Sequence, residues 1–395
     1  LSYMVEAIIL TIRRCNIREI KIGPYTVNRE RIFLRTSDNG RTSHGFHRKP
    51  VGQWNRAEDW TGEPSIFKCG GFFGIDNECY SFGIIPNPTL ELCEWRGERV
   101  PIDGNKICVS EFRVVAVNEN IPDRIVKGLV RIVRDGDEVA RITRGSWFVL
   151  GGKIGRISGG ETMIAARKVM IREITSGKQW FVGKVSAGRL KITEGEQWFL
   201  GRSTAGNAEF SGGYQIFCDH ASAGKATIIG RGQSFHDDST AGRAIISGGA
   251  QIFYDRTTMD RGEIRGGEQW FHKESNAGQA KITGGIQSFS DKSRAGKARI
   301  NGGNQVFDGK STADRAEITG GEQDFFGEST AGRARISGGR QIIRDEASPG
   351  KAEITGGEQK TIPHIELTML NCCSRYSSLQ RIIELYRVGE GKRDS

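Results

Sequence analysis

Residues 305–322 read QVFDGKSTADRAEITGGE and residues 323–340 read QDFFGESTAGRARISGGR, so one 18-residue unit is written twice in succession. The glutamine that opens the unit recurs at 179, 197, 215, 233, 251, 269, 287, 305, 323, 341 and 359 without a slip. A fixed period of this size signals stacked structural units rather than one globular core. Counting the glutamine as position 1, the unit is Gln-x-Phe at positions 1–3, a polar stretch, Ser/Thr-x-Ala-Gly at 7–10, Ala-x-Ile at 12–14 and Gly-Gly at 16–17. Two short alternating segments separated by glycine-rich punctuation read as two strands and two turns. An α-solenoid does not fit, because 18 residues cannot hold two helices and each glycine inside a helix would cost about 1 kcal/mol.

The columns formed by stacking the units behave like the walls of a parallel β-helix. Position 3 is Phe from Phe181 to Phe325 and ends in Ile343 and Thr361; position 14 is Ile192, Phe210, then Ile from Ile228 to Ile354. Side chains alternate along a strand, so positions 12 and 14 share one face and position 13 points the other way. Position 13 is accordingly mostly charged, and its sign flips between Glu263 and Lys281, Arg299 and Glu317, Glu317 and Arg335, and Arg335 and Glu353. Opposite charges on adjacent strands favour in-register stacking by roughly 0.2–1 kcal/mol a pair. With rungs about 4.8 Å apart, ten steps make a rod on the order of 50 Å long. The fold class expected is all-β, a parallel β-solenoid with 18-residue rungs.

The rest of the chain is arranged around this rod. Fifty-four glycines and nine prolines in 395 residues suit a solenoid that turns tightly at every rung. Residues 1–123 carry no repeat; short apolar segments separated by turn chemistry such as Asp38-Asn39-Gly40 read as a small mixed α/β or mostly-β domain. Residues 124–178 repeat the strand and turn in worn form, as terminal repeats do. Residues 179–361 are the regular rungs, and residues 362–395 read as a short helical cap, at 379–388, with a disordered tail. A cut between Asp123 and Ile142 is expected to leave a folded solenoid, since rungs contact mainly their neighbours.

No 18-residue apolar run is present to cross a membrane as a helix. Residues 5–12 are apolar but are followed by Arg13 and Arg14, the wrong order for a signal peptide. The eight cysteines (Cys15, Cys69, Cys79, Cys93, Cys108, Cys218, Cys372 and Cys373) show no framework spacing and no C-x2-C pair, so they are expected as ordinary thiols with no metal bound. The nonapeptide calcium motif Gly-Gly-x-Gly-x-Asp is also absent. Cys69 with His44 and His47 would be the one nucleophile-and-base pairing to imagine, against a bland reading as a packed thiol and surface imidazoles. No catalytic residue and no cofactor is assigned.

The pattern Gly-Gly-x-Gln-x-apolar, a small-residue turn with Ala at position 9, then small-x-apolar, resembles the passenger repeats of AIDA-type bacterial autotransporter adhesins. The resemblance spans residues 171–361. It implies a β-solenoid at the cell surface or outside the cell that presents a long face to glycans, with cytoplasmic or virion locations left open. Departures are the basic, arginine-rich composition and the absence of a translocator barrel or visible signal peptide in this sequence.

The most informative outward column is position 11: Arg189, Asn207, Lys225, Arg243, Arg261, Gln279, Lys297, Arg315, Arg333 and Lys351. Its eight cations form a candidate polyanion-binding ladder, and together with position 13 the strip carries twelve basic and four acidic residues against +10 for the whole chain. The alternative is a self-compensating surface, with Asp219, Asp237, Asp255, Asp291 and Asp345 at position 5 supplying relief. Trp180, Trp198 and Trp270 at position 2 are candidates for stacking on sugars or bases, against partial cover by a neighbouring turn. The leading expectation is a non-enzymatic, adhesin-like or fibre-like surface module; the alternatives are binding of acidic polysaccharide or nucleic acid, and a β-helix polysaccharide lyase or hydrolase, which uniform rungs disfavour.

Overall fold

The computed structural model describes residues 19–38, 40–41, 46–63, 72–75, 88–103, 106–126, 130–165, 169–229 and 232–362. The helix expected at 379–388 and the tail beyond it lie outside them, as do His44 and Cys69. From Arg131 onward the chain is a parallel β-solenoid of about 13 rungs. Each regular rung has two strands, such as Glu317–Thr319 and Glu322–Phe325. A third wall is made by single parallel bridges at position 8, from Ser186 with Thr204 to Thr330 with Ser348. The rungs stack strictly in register, Gln on Gln and Phe on Phe.

Three corners separate the three walls, and each is built by residue types that the left-handed backbone region requires. Position 10 has φ near +60° and is glycine, or Asp260 and Asp314. Both glycines at 16 and 17 have positive φ in the later rungs, and a side chain at Gly321 would run into the carbonyl oxygen of Gly303. Position 5 is the third such site, occupied by Gly201, Asp219, Asp237, Asp255, Lys273, Asp291, Gly309, Gly327 and Asp345. Aspartate is one of the few side-chain-bearing residues that enters this region readily. The Asp219 carboxylate also accepts the backbone N–H of Gly201 one rung below. The acidic column at position 5 is therefore a corner residue, which explains why glycine alternates with it.

Inside, positions 1, 3, 7, 9, 12 and 14 converge. The phenylalanines stack ring on ring from Phe181 to Phe325 with centroids 4.6–4.9 Å apart and planes within 10°. The glutamines are fully buried from Gln179 to Gln323 apart from slight exposure at Gln215 and Gln233. Each Nε2 donates to Oε1 of the glutamine below, at 2.8–3.2 Å. In most rungs it also donates to the carbonyl at position 16, as Gln269 does to Gly266 at 2.8 Å. The side chain thus closes the Gly-Gly corner while linking it to the next rung, which satisfies both amide donors in the buried interior. Position 7 is a buried hydroxyl in most rungs, and those of Ser203, Ser239, Thr257, Ser275, Ser293, Ser311 and Ser329 have no protein partner. Ala221 and Ala347 occupy the same column.

The first rungs are irregular in length. Ile132 faces Phe148, Phe148 faces Met163, Met163 faces Trp180 and Trp180 faces Trp198, so the steps are 16, 15, 17 and 18 residues. Before them, the described N-terminal residues form a hairpin of β1 (Glu19–Ile22) and β2 (Tyr25–Asn28), and an antiparallel sheet of β3 (Ile32–Asp38), β4 (Trp54–Arg56), β5 (Phe72–Ile75), β6 (Pro88–Asp103) and β7 (Lys106–Val117). Strands β3, β5, β7 and β6 pair in a closed ring. Of the two options the sequence left open, this region is mostly β. The ring encloses Phe33, Phe72, Phe112 and Val114. At one end Glu91, fully buried, meets Arg35 at 3.1 Å, Arg48, and the Ser37 hydroxyl. Cys108 is disulfide-bonded, which corrects the expectation of ordinary thiols throughout, while Cys93 is free and buried.

Alternation along the barrel strands puts the next residues, Leu34, Leu92 and Val115, on its outside, and with Ile22, Val27 and Leu90 they join one apolar cluster with Phe148, Met163, Trp180, Val182 and Leu200 of the solenoid. The two units share a core. That changes the expected result of cutting between them: a fragment beginning at residue 124 should bind an apolar dye and aggregate, because it uncovers this cluster. A fragment that stays monomeric by light scattering with no added dye binding would show that the barrel is dispensable.

Candidate functional site

Alternation and corner geometry place every cation of the position 11 column outside. Arg189, Lys225, Arg243, Arg261, Lys297, Arg315, Arg333 and Lys351 are all exposed, each one residue past a left-handed corner. The backbone registers them, since Lys225 N–H donates to Gly206 O and Arg243 N–H to Gly224 O, each at 2.7 Å. Adjacent members are therefore one rung apart, about 4.8 Å along the axis. At about 5 Å in water two unit charges repel by roughly 0.8 kcal/mol, so the column gains nothing from its own sequence of charges.

The neighbouring column behaves differently. At position 13, Lys281 meets Glu263 at 3.4 Å, Arg299 meets Glu317 at 3.1 Å and Arg335 meets Glu353 at 3.3 Å. Hydrogen bonds from Arg265 first, and then Lys281, hold the Glu263 carboxyl below the usual carboxylate range. None of the eight position 11 cations makes an ion pair with a described residue. The acidic position 5 column does not relieve them either: Asp255 pairs with Lys273 at 2.8 Å in its own corner. The strip that looked jointly basic in sequence is thus one self-neutralised column beside one unneutralised column.

Two features of this surface were not singled out in the sequence. Position 8, beside the ladder, is a hydroxyl in every regular rung except at Asn276 and Arg294, and most of these oxygens accept the position 10 N–H, as Thr204 does from Gly206 and Thr330 from Gly332, both at 3.0 Å. The signal was present as the Ser/Thr recurring two residues before the corner. Asp260 and Asp314, the two side chains in an otherwise glycine-lined position 10, stand directly before Arg261 and Arg315. Between Asp314, Arg315, Gly332, Arg333, Gly350 and Lys351 runs a shallow, open groove of about 480 Å³, with glycine along its floor.

The three tryptophans separate. Trp180 is 8% exposed and lies under the N-terminal barrel, so its cover comes from another domain and not from a turn, whereas Trp198 is half-buried at the edge of the same cluster with its indole N–H donating to Glu196 at 2.6 Å. Trp180 is unavailable for stacking. Trp270 is half-buried on the continuation of that face beyond the barrel, beside Tyr254 and His272, whose rings lie 5.7 Å apart. Burial pushes the His272 imidazole toward its neutral form, with Asp291 opposing.

Among the described residues no group of three or more His, Cys, Asp or Glu side chains is placed to hold a metal ion, and no helix is long and apolar enough to cross a membrane. His47, the one described member of the imagined Cys/His pairing, lies exposed in a bridge with Arg41. Comparison with protein-family models, with curated proteins and with solved structures returns no match.

Proposed function

We propose that this chain is a non-catalytic surface or structural module whose rod receives an anionic polymer along the position 11 ladder. The observation that carries this reading is the contrast between two adjacent outward columns: position 13 neutralises itself by ion pairs, and position 11 keeps eight exposed cations without a described partner. A column that is destabilised by its own repulsion and repeated over ten rungs is expected to be compensated from outside. The non-catalytic part is supported by the regular rungs, which hold their 18-residue spacing from Gln179 to Gln359 without an insertion that could wall a cleft. The Cys108 disulfide supports an oxidising location such as the cell exterior.

Substituting Arg243, Arg261, Arg315 and Arg333 by glutamine tests the reading. Binding of the unaltered chain to heparin should weaken steeply between low and physiological salt, with a slope set by the number of charges engaged. The fourfold variant should show a flatter slope and an unchanged or slightly higher melting temperature. Equal slopes for the two proteins would remove the ladder from the binding surface.

A further inference from the structure

The polymer that fits this ladder can be narrowed by what stands beside it. Thr204, Ser222, Thr240, Thr312, Thr330 and Ser348 each accept a backbone N–H from position 10 of the same rung, at 2.9–3.1 Å. A hydroxyl that accepts in this way retains its own proton to donate. Each such rung therefore offers one hydroxyl donor and, in most cases, one cation, on either side of a strip whose position 10 is almost all glycine. The offer repeats at the rung spacing, about 4.8 Å, close to the length of one pyranose unit in an extended chain, in two runs of three rungs, 204–240 and 312–348, with Thr258, Asn276 and Arg294 standing between them.

Nucleic acids match this surface poorly. Proteins that hold single strands supply aromatic platforms for the bases, and positions 8, 10, 11, 13 and 15 contain no aromatic side chain in any described rung. A duplex carries its phosphates on a helical path, which winds away from a straight row of cations after a few contacts. The geometry points to a linear acidic polysaccharide, bearing a carboxylate or sulfate on successive sugars, lying parallel to the rod with its anions on position 11 and its ring oxygens and hydroxyls on position 8. This assignment rests on the polyanion reading above and specifies its ligand. It gives Asp260 and Asp314 a role: as the acids in the glycine row, they interrupt the track and set limits to how tightly a continuous polyanion is held.

The test uses the full chain with four polymers matched in length: polygalacturonate, single-stranded poly(dT), polyphosphate and neutral pullulan. At physiological salt, polygalacturonate should bind about tenfold or more tightly than poly(dT) at equal charge, since charge alone predicts equality. The double variant Asp260→Gly, Asp314→Gly suits its left-handed corners and should tighten polygalacturonate severalfold with no loss of melting temperature. Equal affinity for the three anionic polymers, or tighter binding of poly(dT), overturns the polysaccharide assignment and leaves the polyanion reading standing. Binding of none of them at low salt overturns both. Pullulan binding as tight as polygalacturonate overturns both as well, in favour of a surface for neutral sugars. An unchanged affinity in the glycine double variant removes the position 10 row from the track.

Discussion

Replacing Gln269 by leucine should destabilise the solenoid by about 3–6 kcal/mol, the sum expected from leaving several buried polar groups without partners. Three groups lose one at once: Oε1 of Gln251, which accepts from Gln269 at 2.9 Å; Nε2 of Gln287, which donates to it at 2.9 Å; and the carbonyl of Gly266, which accepts at 2.8 Å. The loss sits at a corner as well as between rungs, so hydrogen exchange should rise at residues 248–287 before it rises elsewhere. Exchange is the better measurement here, because long repeat arrays need not unfold in one step. Gln269→Glu adds a check on direction. Its carboxylate can accept from Gln287 but faces two acceptors, Gln251 Oε1 and Gly266 O, and is buried; both effects raise the folded-state pKa above the unfolded value of about 4.3. A group with a raised folded pKa is tolerated best below the unfolded pKa, so this variant should be least destabilised at acid pH and lose stability as pH rises through the folded pKa. A cost below about 1 kcal/mol for Gln269→Leu, or no pH dependence for Gln269→Glu, would mean that the glutamines are hydrated.

Phe253→Ala should cost about 3–5 kcal/mol, as expected for a large buried ring replaced by a cavity. Phe253 is 0% exposed and stacks on Phe235 at 4.9 Å and Phe271 at 4.6 Å. The interior has little room to collapse around the gap, because neighbouring rungs are held at fixed spacing by their backbone ladders. Glu263→Gln, on the outward side of the same rung pair, should cost under about 1 kcal/mol. Chemical denaturation of the two variants in parallel gives the comparison, and equal costs would reverse the inside and outside faces.

Much of the rod was readable from residue spacing. The 18-residue period, the Phe and Ile columns and the outward charge at position 13 follow from local rules, because in a solenoid each residue's main neighbour is its own equivalent one rung away. The position 5 aspartates show where such reading stops. Their charge invited an electrostatic account, whereas a backbone φ near +58° at Asp219, Asp255 and Asp291 makes them stand-ins for glycine. The position 11 column was placed correctly on the outside, but its isolation depended on which carboxylates its neighbours had already engaged. That is a question of side-chain reach, which column order alone does not answer.

The sequence by itself determined the architecture, since a repeat that buries its apolar positions only by stacking on copies of itself has one economical way to fold. Tertiary structure alone decided which parts of the outward face are left for a partner. Trp180 occupies the same column as Trp270, with nothing in its own repeat to mark it as different. It is covered because the barrel strands β3, β6 and β7 turn Leu34, Leu92 and Val115 toward the first rungs, a contact between segments remote in sequence whose apolar positions have no common period to reveal it.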